Sequence, residues 1–330
     1  MKRRKITALL LSIFLLAALL VGCASPKSGG EEKLRVVTTI FPEYDWVVNI
    51  LGERAADTEL TLLLNNGVDL HSYQPSAGDI VRLSECDLFV YVGGESDEWV
   101  NDALREATNE NMVVLNLMDV LGDAVKEEEV KEGMEDEEHE HDEEEHDREK
   151  EVEYDEHIWL SLKNAAVLVG AICDALVSLD AENADVYSAN ASAYIEKIDA
   201  LDARYRAAAE AASSKTLLFG DRFPFRYLTD DYGLDYYAAF VGCSAESEAS
   251  FETIAFLADK LDELQLSAVL TLEGSEGKLA ETIVAASALK SARILSVDSM
   301  QSTTAEDIRL GATYLSIMEK NLDVFSDALR

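Results

Sequence analysis

Residues 181–212 read AENADVYSANASAYIEKIDALDARYRAAAEAA, a run with neither proline nor glycine. Within it Tyr187, Ala191, Tyr194, Ile198, Leu201 and Tyr205 recur every three or four positions. That is the period of one buried stripe along an α-helix. At 1.5 Å per residue such a helix is roughly 45 Å long, enough to span two small domains. The stretch therefore predicts a stiff helical bridge over 181–213, with one lobe on either side. A stiff bridge, unlike flexible crossing strands, limits hinge opening.

Working outward toward the N-terminus, 34–39, 60–64, 88–92 and 112–117 are short runs rich in Val and Leu, the composition of buried strands. Between them 43–51 (closed by Gly52), 77–84 and 98–108 have helical spacing, and Ser76 with Asp79 forms a capping-box pair at the start of the second. A further helix is expected at 164–179. Toward the C-terminus the alternation repeats. Strands are expected at 215–219, 234–240, 267–272 and 293–297, and helices at 224–232, 251–265, 278–289 and 305–329. Alternating strand and helix implies a parallel sheet covered on both faces. The expected fold class is α/β: two small parallel-sheet lobes, each of about four strands with flanking helices, joined by one long rigid helix. The lobes run 34–180 and 214–330, with 181–213 linking them.

The ends and one interruption fall outside that pattern. Lys2, Arg3, Arg4 and Lys5 followed by the apolar run 6–21 make a signal peptide over 1–22, too short for a stable span. Leu20-Val21-Gly22-Cys23 resembles a bacterial lipobox, which implies cleavage before Cys23 and its acylation; residues 23–33 then form a flexible tether. Residues 126–156 carry nineteen acids against four bases, with hardly any apolar residue and no period, and read as a disordered loop. The remaining cysteines, Cys86, Cys173 and Cys243, are odd in number, widely spaced and lack a CxxC pair. This argues against a disulfide framework and against a thiolate zinc site. Cys86 and Cys173 lie in apolar runs and read as small buried residues.

The formal net charge of −37 makes nucleic acid an unsuitable partner. There is no HExxH, no nucleophile elbow and no glycine-rich phosphate loop, so nothing marks an enzyme. A hydrolase using a His-and-carboxylate metal site is the rival of another class; a surface adhesin or a metal buffer is a third reading. Outside the acidic loop the histidines are His71 and His157, each where a loop leaves a strand or enters a helix. In doubly wound sheets, loops at the carboxyl ends of strands are where ligands bind, and neutral imidazole suits zinc, manganese and iron.

Three stretches carry a resemblance: Thr38-Thr39-Ile40-Phe41-Pro42-Glu43-Tyr44-Asp45, Gly67-Val68-Asp69-Leu70-His71-Ser72-Tyr73-Gln74-Pro75 and Asp155-Glu156-His157-Ile158-Trp159-Leu160. They resemble the first strand and turn, the G-x-D-P-H-x-Y-x-P motif and the D-P-H-x-W-L motif of the metal-binding solute receptors of ABC transporters, the ZnuA/TroA-like zinc and manganese cluster. Leu70 and Glu156 stand where that family has proline. The resemblance implies that His71 and His157 bind metal. It implies a third ligand after a strand of the second lobe, where this chain has no histidine: Asp221 is the candidate, with Arg222 the other reading of the alignment. It implies a fourth, acidic ligand, Glu273, with Glu276 as alternative. It also likens His139, His141 and His146 in the acidic loop to the His-rich insertion of zinc members, a weak metal-collecting segment or else a solvated spacer. The expected function is an extracytoplasmic, lipid-anchored, monomeric receptor on the cell membrane. It captures zinc, with manganese or iron as the alternative cargo, and delivers it to an ABC permease and its ATPase.

Overall fold

The computed structural model describes residues 33–135, 153–244 and 248–330. The expected signal peptide, Cys23, nearly all of the tether and His139, His141 and His146 lie outside the described residues.

The chain opens with β1 (Arg35–Thr38), α1 (Phe41–Leu51), β2 (Glu59–Leu62), α2 (Ala77–Glu85), β3 (Leu88–Tyr91), α3 (Trp99–Arg105), β4 (Val113–Asn116) and α4 (Leu117–Leu121). The four strands pair in parallel in the order β2-β1-β3-β4. Val36, Val37, Leu88, Phe89 and Val90 are buried, as a sheet covered on both faces requires. After α5 (Leu162–Leu179) and α6 (Ala184–Ala211) the same plan recurs with β5 (Thr216–Phe223), α7 (Arg226–Tyr232), β6 (Asp235–Val241), α8 (Phe251–Glu263), β7 (Ala268–Leu272), α9 (Lys278–Ala286) and β8 (Arg293–Val297). Its strands run parallel in the order β6-β5-β7-β8. Each sheet thus reverses its winding beside its first strand, and the loops leaving the carboxyl ends there are open to a ligand.

The bridge of 181–213 is the 28-residue α6, preceded by a 3-10 turn at Ala181–Asn183. All six stripe residues from Tyr187 to Tyr205 are buried. Tyr194 donates to Asp45 Oδ2 at 2.9 Å on α1, and Tyr205 donates to the Met318 carbonyl at 2.7 Å near the C-terminus. One hydrophobic core contains residues of both sheets, among them Val37, Phe89, Phe219 and Leu270. Trp159 Nε1 donates to the Ser299 carbonyl, Tyr314 O–H donates to the Trp159 carbonyl, each at 2.8 Å, and Ala305 N donates to the Asn65 carbonyl, again at 2.8 Å. Leu34–Arg330 accordingly forms one compact unit.

Two expectations are corrected. The single helix over 305–329 is two, α10 (Ala305–Arg309) and α11 (Tyr314–Ala328), because Gly311 has φ +97° and Thr313 starts a second capping box with Ser316. The loop over 126–156 is not disordered throughout: its two stems are bonded. Glu127 and Tyr154 form an antiparallel bridge that closes the neck. Glu135 N donates to the Ala239 carbonyl at 2.9 Å, extending the second sheet beyond its edge strand β6. Glu129 accepts from Tyr236 O–H at 3.0 Å, and Lys131 pairs with Asp235 while lying over the Tyr236 ring. Charge blocks hid these contacts, because the sequence does not show that Glu129 and Lys131 have specific partners on the β6 edge.

Candidate metal centre

His71 stands in a 3-10 turn, Leu70–Ser72, reached after β2. The Asp69 carboxylate caps that turn by accepting from His71 N at 3.1 Å. His157 lies at the start of a second short turn, Ile158–Leu160, and is completely buried. Asp155 Oδ1 accepts from His157 N at 2.8 Å and lies 3.0 Å from its Nδ1. On His71 the Nδ1 atom is 2.8 Å from Ser96 Oγ. With both Nδ1 atoms protonated and donating to these partners, the tautomers leave Nε2 of each ring as a free lone pair. Those two Nε2 atoms face each other at 3.2 Å. In a tetrahedral zinc centre, Zn–N bonds of about 2.0–2.1 Å put two nitrogens about 3.3 Å apart, so the pair already has ligand spacing.

Burial, then the neighbouring His157, pushes the His71 imidazole down to about 3, with Arg222 acting in the same sense and Asp69 opposing. The ring is neutral at any physiological pH, the form that coordinates a cation. Beneath it Glu156 accepts from Ser96 N at 2.8 Å through Oε1, while Oε2 has no hydrogen-bond partner and lies 3.5 Å from His71 Nδ1. Burial raises the Glu156 carboxyl above its ordinary pKa. Glycine at 94 makes room for it: a Cβ there would lie 2.4 Å from Glu156 Oε1, and the backbone has φ +81°.

The second lobe contributes differently from what the sequence suggested. Arg222 takes the crevice face at the end of β5, donating to Asp69 Oδ2 at 2.7 Å and to the Ser244 carbonyl at 3.3 Å. The ladder is irregular between Phe219 and Arg222, and Asp221 there turns to the end of β7, where Oδ2 accepts from Leu272 N at 3.1 Å, while Oδ1 accepts from Arg222 N at 2.9 Å. Burial works against the charge of Asp69, but Arg222 and then His71 hold it below its ordinary pKa. Glu273 follows β7 and ties that strand end to the loop after β8, accepting from Ser299 N at 2.7 Å and from Ser299 O–H at 2.6 Å. Burial, with Asp298 beside it, raises Glu273 to about 7.

Among the described residues, the His, Cys, Asp and Glu side chains that gather at ligand distance are His71, His157 and Cys243, whose donor atoms all lie within 4.8 Å of one another. Asp221 and Glu273, the expected carboxylate pair, are not in that group, and Cys243, which the sequence reading set aside as a ligand, is. The Gln301 carboxamide also reaches the site. With its nitrogen donating to the Asp69 carboxylate at 2.9 and 3.2 Å, its oxygen accepts from His157 Nε2 at 2.6 Å when that nitrogen carries the proton, a bond that a metal ion on Nε2 would replace. One signal pointed to Cys243: Val241-Gly242-Cys243-Ser244 directly follows an apolar strand, as the other site loops do. Cys86 and Cys173 are buried in the core, as read.

With this geometry established, residues 36–328 match the family ZnuA, zinc-uptake complex component A, periplasmic. The chain is 32% identical over 319 residues to the zinc-binding lipoprotein AdcA of Streptococcus pneumoniae, a match that covers 97% of this chain and 60% of that relative's length. It is 30% identical over 325 residues to the high-affinity zinc uptake system protein ZnuA of Bacillus subtilis, covering 96% of this chain and 97% of the relative. The structure superposes on the Zn(II)-bound ZnuA-like domain of Streptococcus pneumoniae AdcA with a TM-score of 0.70 at 27% identity, over 90% of this chain and 99% of that one.

Proposed function

The chain belongs to the ZnuA family of zinc-uptake components, and from that membership we propose that it is an extracytoplasmic receptor which captures zinc between its lobes and passes it to an ABC importer. The observation that carries this reading is the pair of Nε2 atoms 3.2 Å apart, each ring held by a bond to its own Nδ1. Two imidazoles from loops of the first lobe, roofed by residues of the second, make a dehydrated, preformed seat for one divalent ion. Zinc is the cargo named for the AdcA and ZnuA relatives; manganese and iron are the competing cargoes for such nitrogen donors. The site is built for retention: Arg222 with Asp69, Trp159 with Ser299 and Tyr314 with Trp159 cross between the lobes. Release then proceeds by displacing the ligand loops when the permease docks, rather than by wide hinge opening.

The rest of the assignment is of the same kind. Cys23 carries the lipid that holds the receptor to the membrane surface, and the receptor acts as a monomer with a permease and its ATPase. The lobes are 34–180 and 214–330, with 181–213 as the bridge. His139, His141 and His146 add weak sites that raise the zinc concentration beside the tight one. The first test is metal analysis of the purified receptor after dialysis. We expect close to one zinc per chain, lost in the double variant His71→Ala/His157→Ala with the far-ultraviolet circular dichroism unchanged. A double variant that keeps its tight zinc would overturn the reading.

A further inference from the structure

Resting on the zinc-receptor reading above, we propose that the Cys243 thiolate is the third protein ligand, which makes the crevice a His2Cys centre selective for zinc over manganese. The Cys243 sulfur lies within 4.8 Å of a ring nitrogen of each histidine. With Zn–N about 2.0–2.1 Å and Zn–S about 2.3 Å, a tetrahedral ion needs sulfur about 3.6 Å from each nitrogen. A side-chain adjustment covers that difference, since the nitrogens already have the right separation.

The backbone around Cys243 is built to bring it there. At Gly242 a Cβ would lie 2.9 Å from His157 Cε1 and 2.9 Å from the Phe223 carbonyl. Only glycine lets the end of β6 lie against the imidazole, and this delivers the next side chain to its edge. Glu128, from the stem of the acidic loop, then accepts from Cys243 N at 3.3 Å, and Arg222 holds the Ser244 carbonyl at 3.3 Å. The competing donors of this lobe are committed elsewhere: Asp221 to Leu272 N and Arg222 N, Glu273 to Ser299. Arg222 occupies the crevice face of β5 but offers only N–H donors, so no ligand comes from that strand. Thiolate is a soft donor that favours zinc and disfavours manganese, whose preferred ligands are oxygens. On binding, the S–H bond breaks, its proton passes to solvent, and the sulfur's electron pair forms the S–Zn bond.

Cobalt(II) tests this directly, because a thiolate ligand adds a sulfur-to-metal charge-transfer absorption that nitrogen and oxygen ligands do not. Reduced receptor loaded with one cobalt should show that band, and Cys243→Ser should lose it while keeping its circular dichroism. Chelator competition should show zinc affinity reduced at least about tenfold in Cys243→Ser, with manganese affinity changed by less than about threefold. A one-to-one cobalt complex without the band, together with unchanged zinc affinity in Cys243→Ser, overturns the thiolate assignment alone. Failure of the unaltered receptor to bind either cobalt or zinc overturns the receptor reading instead.

Discussion

As donors in the proposed zinc site, His71 and His157 depend on other side chains to decide which nitrogen is free. Asp155 and Ser96 take the two Nδ1 atoms and turn both Nε2 lone pairs toward one point. Their motifs were legible because a histidine at a strand's carboxyl end is exposed in sequence even when it is buried in space. The acidic candidates were not legible, because a carboxylate that follows a strand serves equally as a ligand or as an acceptor for backbone N–H groups. Glu273 accepts from Ser299 N and O–H, and its titration supplies a test. Its folded-state pKa is raised from 4.5 to about 7, so the folded chain keeps a proton that the unfolded chain has lost. The stability this contributes is complete below about pH 4.5 and is lost as pH rises through about 7. Metal-free Glu273→Gln, neutral at every pH, should match the parent near pH 4.5 and exceed it at pH 8 by up to about 3 kcal/mol in denaturant unfolding. Zinc affinity should stay within a few-fold of the parent; its collapse would restore Glu273 as a ligand.

Among the elements, the long helix was read most completely. Its stripe needed no tertiary information, since an uninterrupted period of three and four residues specifies both the helix and its buried face. What the period could not show is where each tyrosine hydroxyl goes. Tyr194 reaches Asp45, a buried carboxylate that also accepts from Tyr314 N at 3.3 Å, so α6, α1 and the start of α11 meet at one polar point. Tyr194→Phe removes the hydroxyl and leaves that carboxylate short of a donor, which should cost about 1–3 kcal/mol in chemical denaturation. Zinc affinity should be unaffected, because the tie lies away from the ligand loops; an unchanged denaturation midpoint would show that the bond contributes nothing. The last helix was misread for a local reason. Gly311 lies inside an otherwise helical pattern, and its left-handed backbone is visible only in the folded chain.

For the whole molecule, the shared core settles how the two lobes behave. Because buried residues of both sheets pack in one cluster and α6 contacts each half, the lobes should unfold together. Calorimetry of the metal-free protein should show one transition with equal calorimetric and van't Hoff enthalpies. Two resolved transitions would mean that the lobes are energetically separate. By itself the sequence determined the α/β class, the two sheets, the bridge and both imidazoles, because hydrophobic period and short motifs are local properties. Only the tertiary structure decided the partners of the acidic stem, the displacement of Asp221 by Arg222 on the crevice face, and the arrival of Cys243 beside the histidines. Each of these depends on which way a side chain points at the end of a strand, and on a glycine that admits close approach. Neither is determined until distant segments pack.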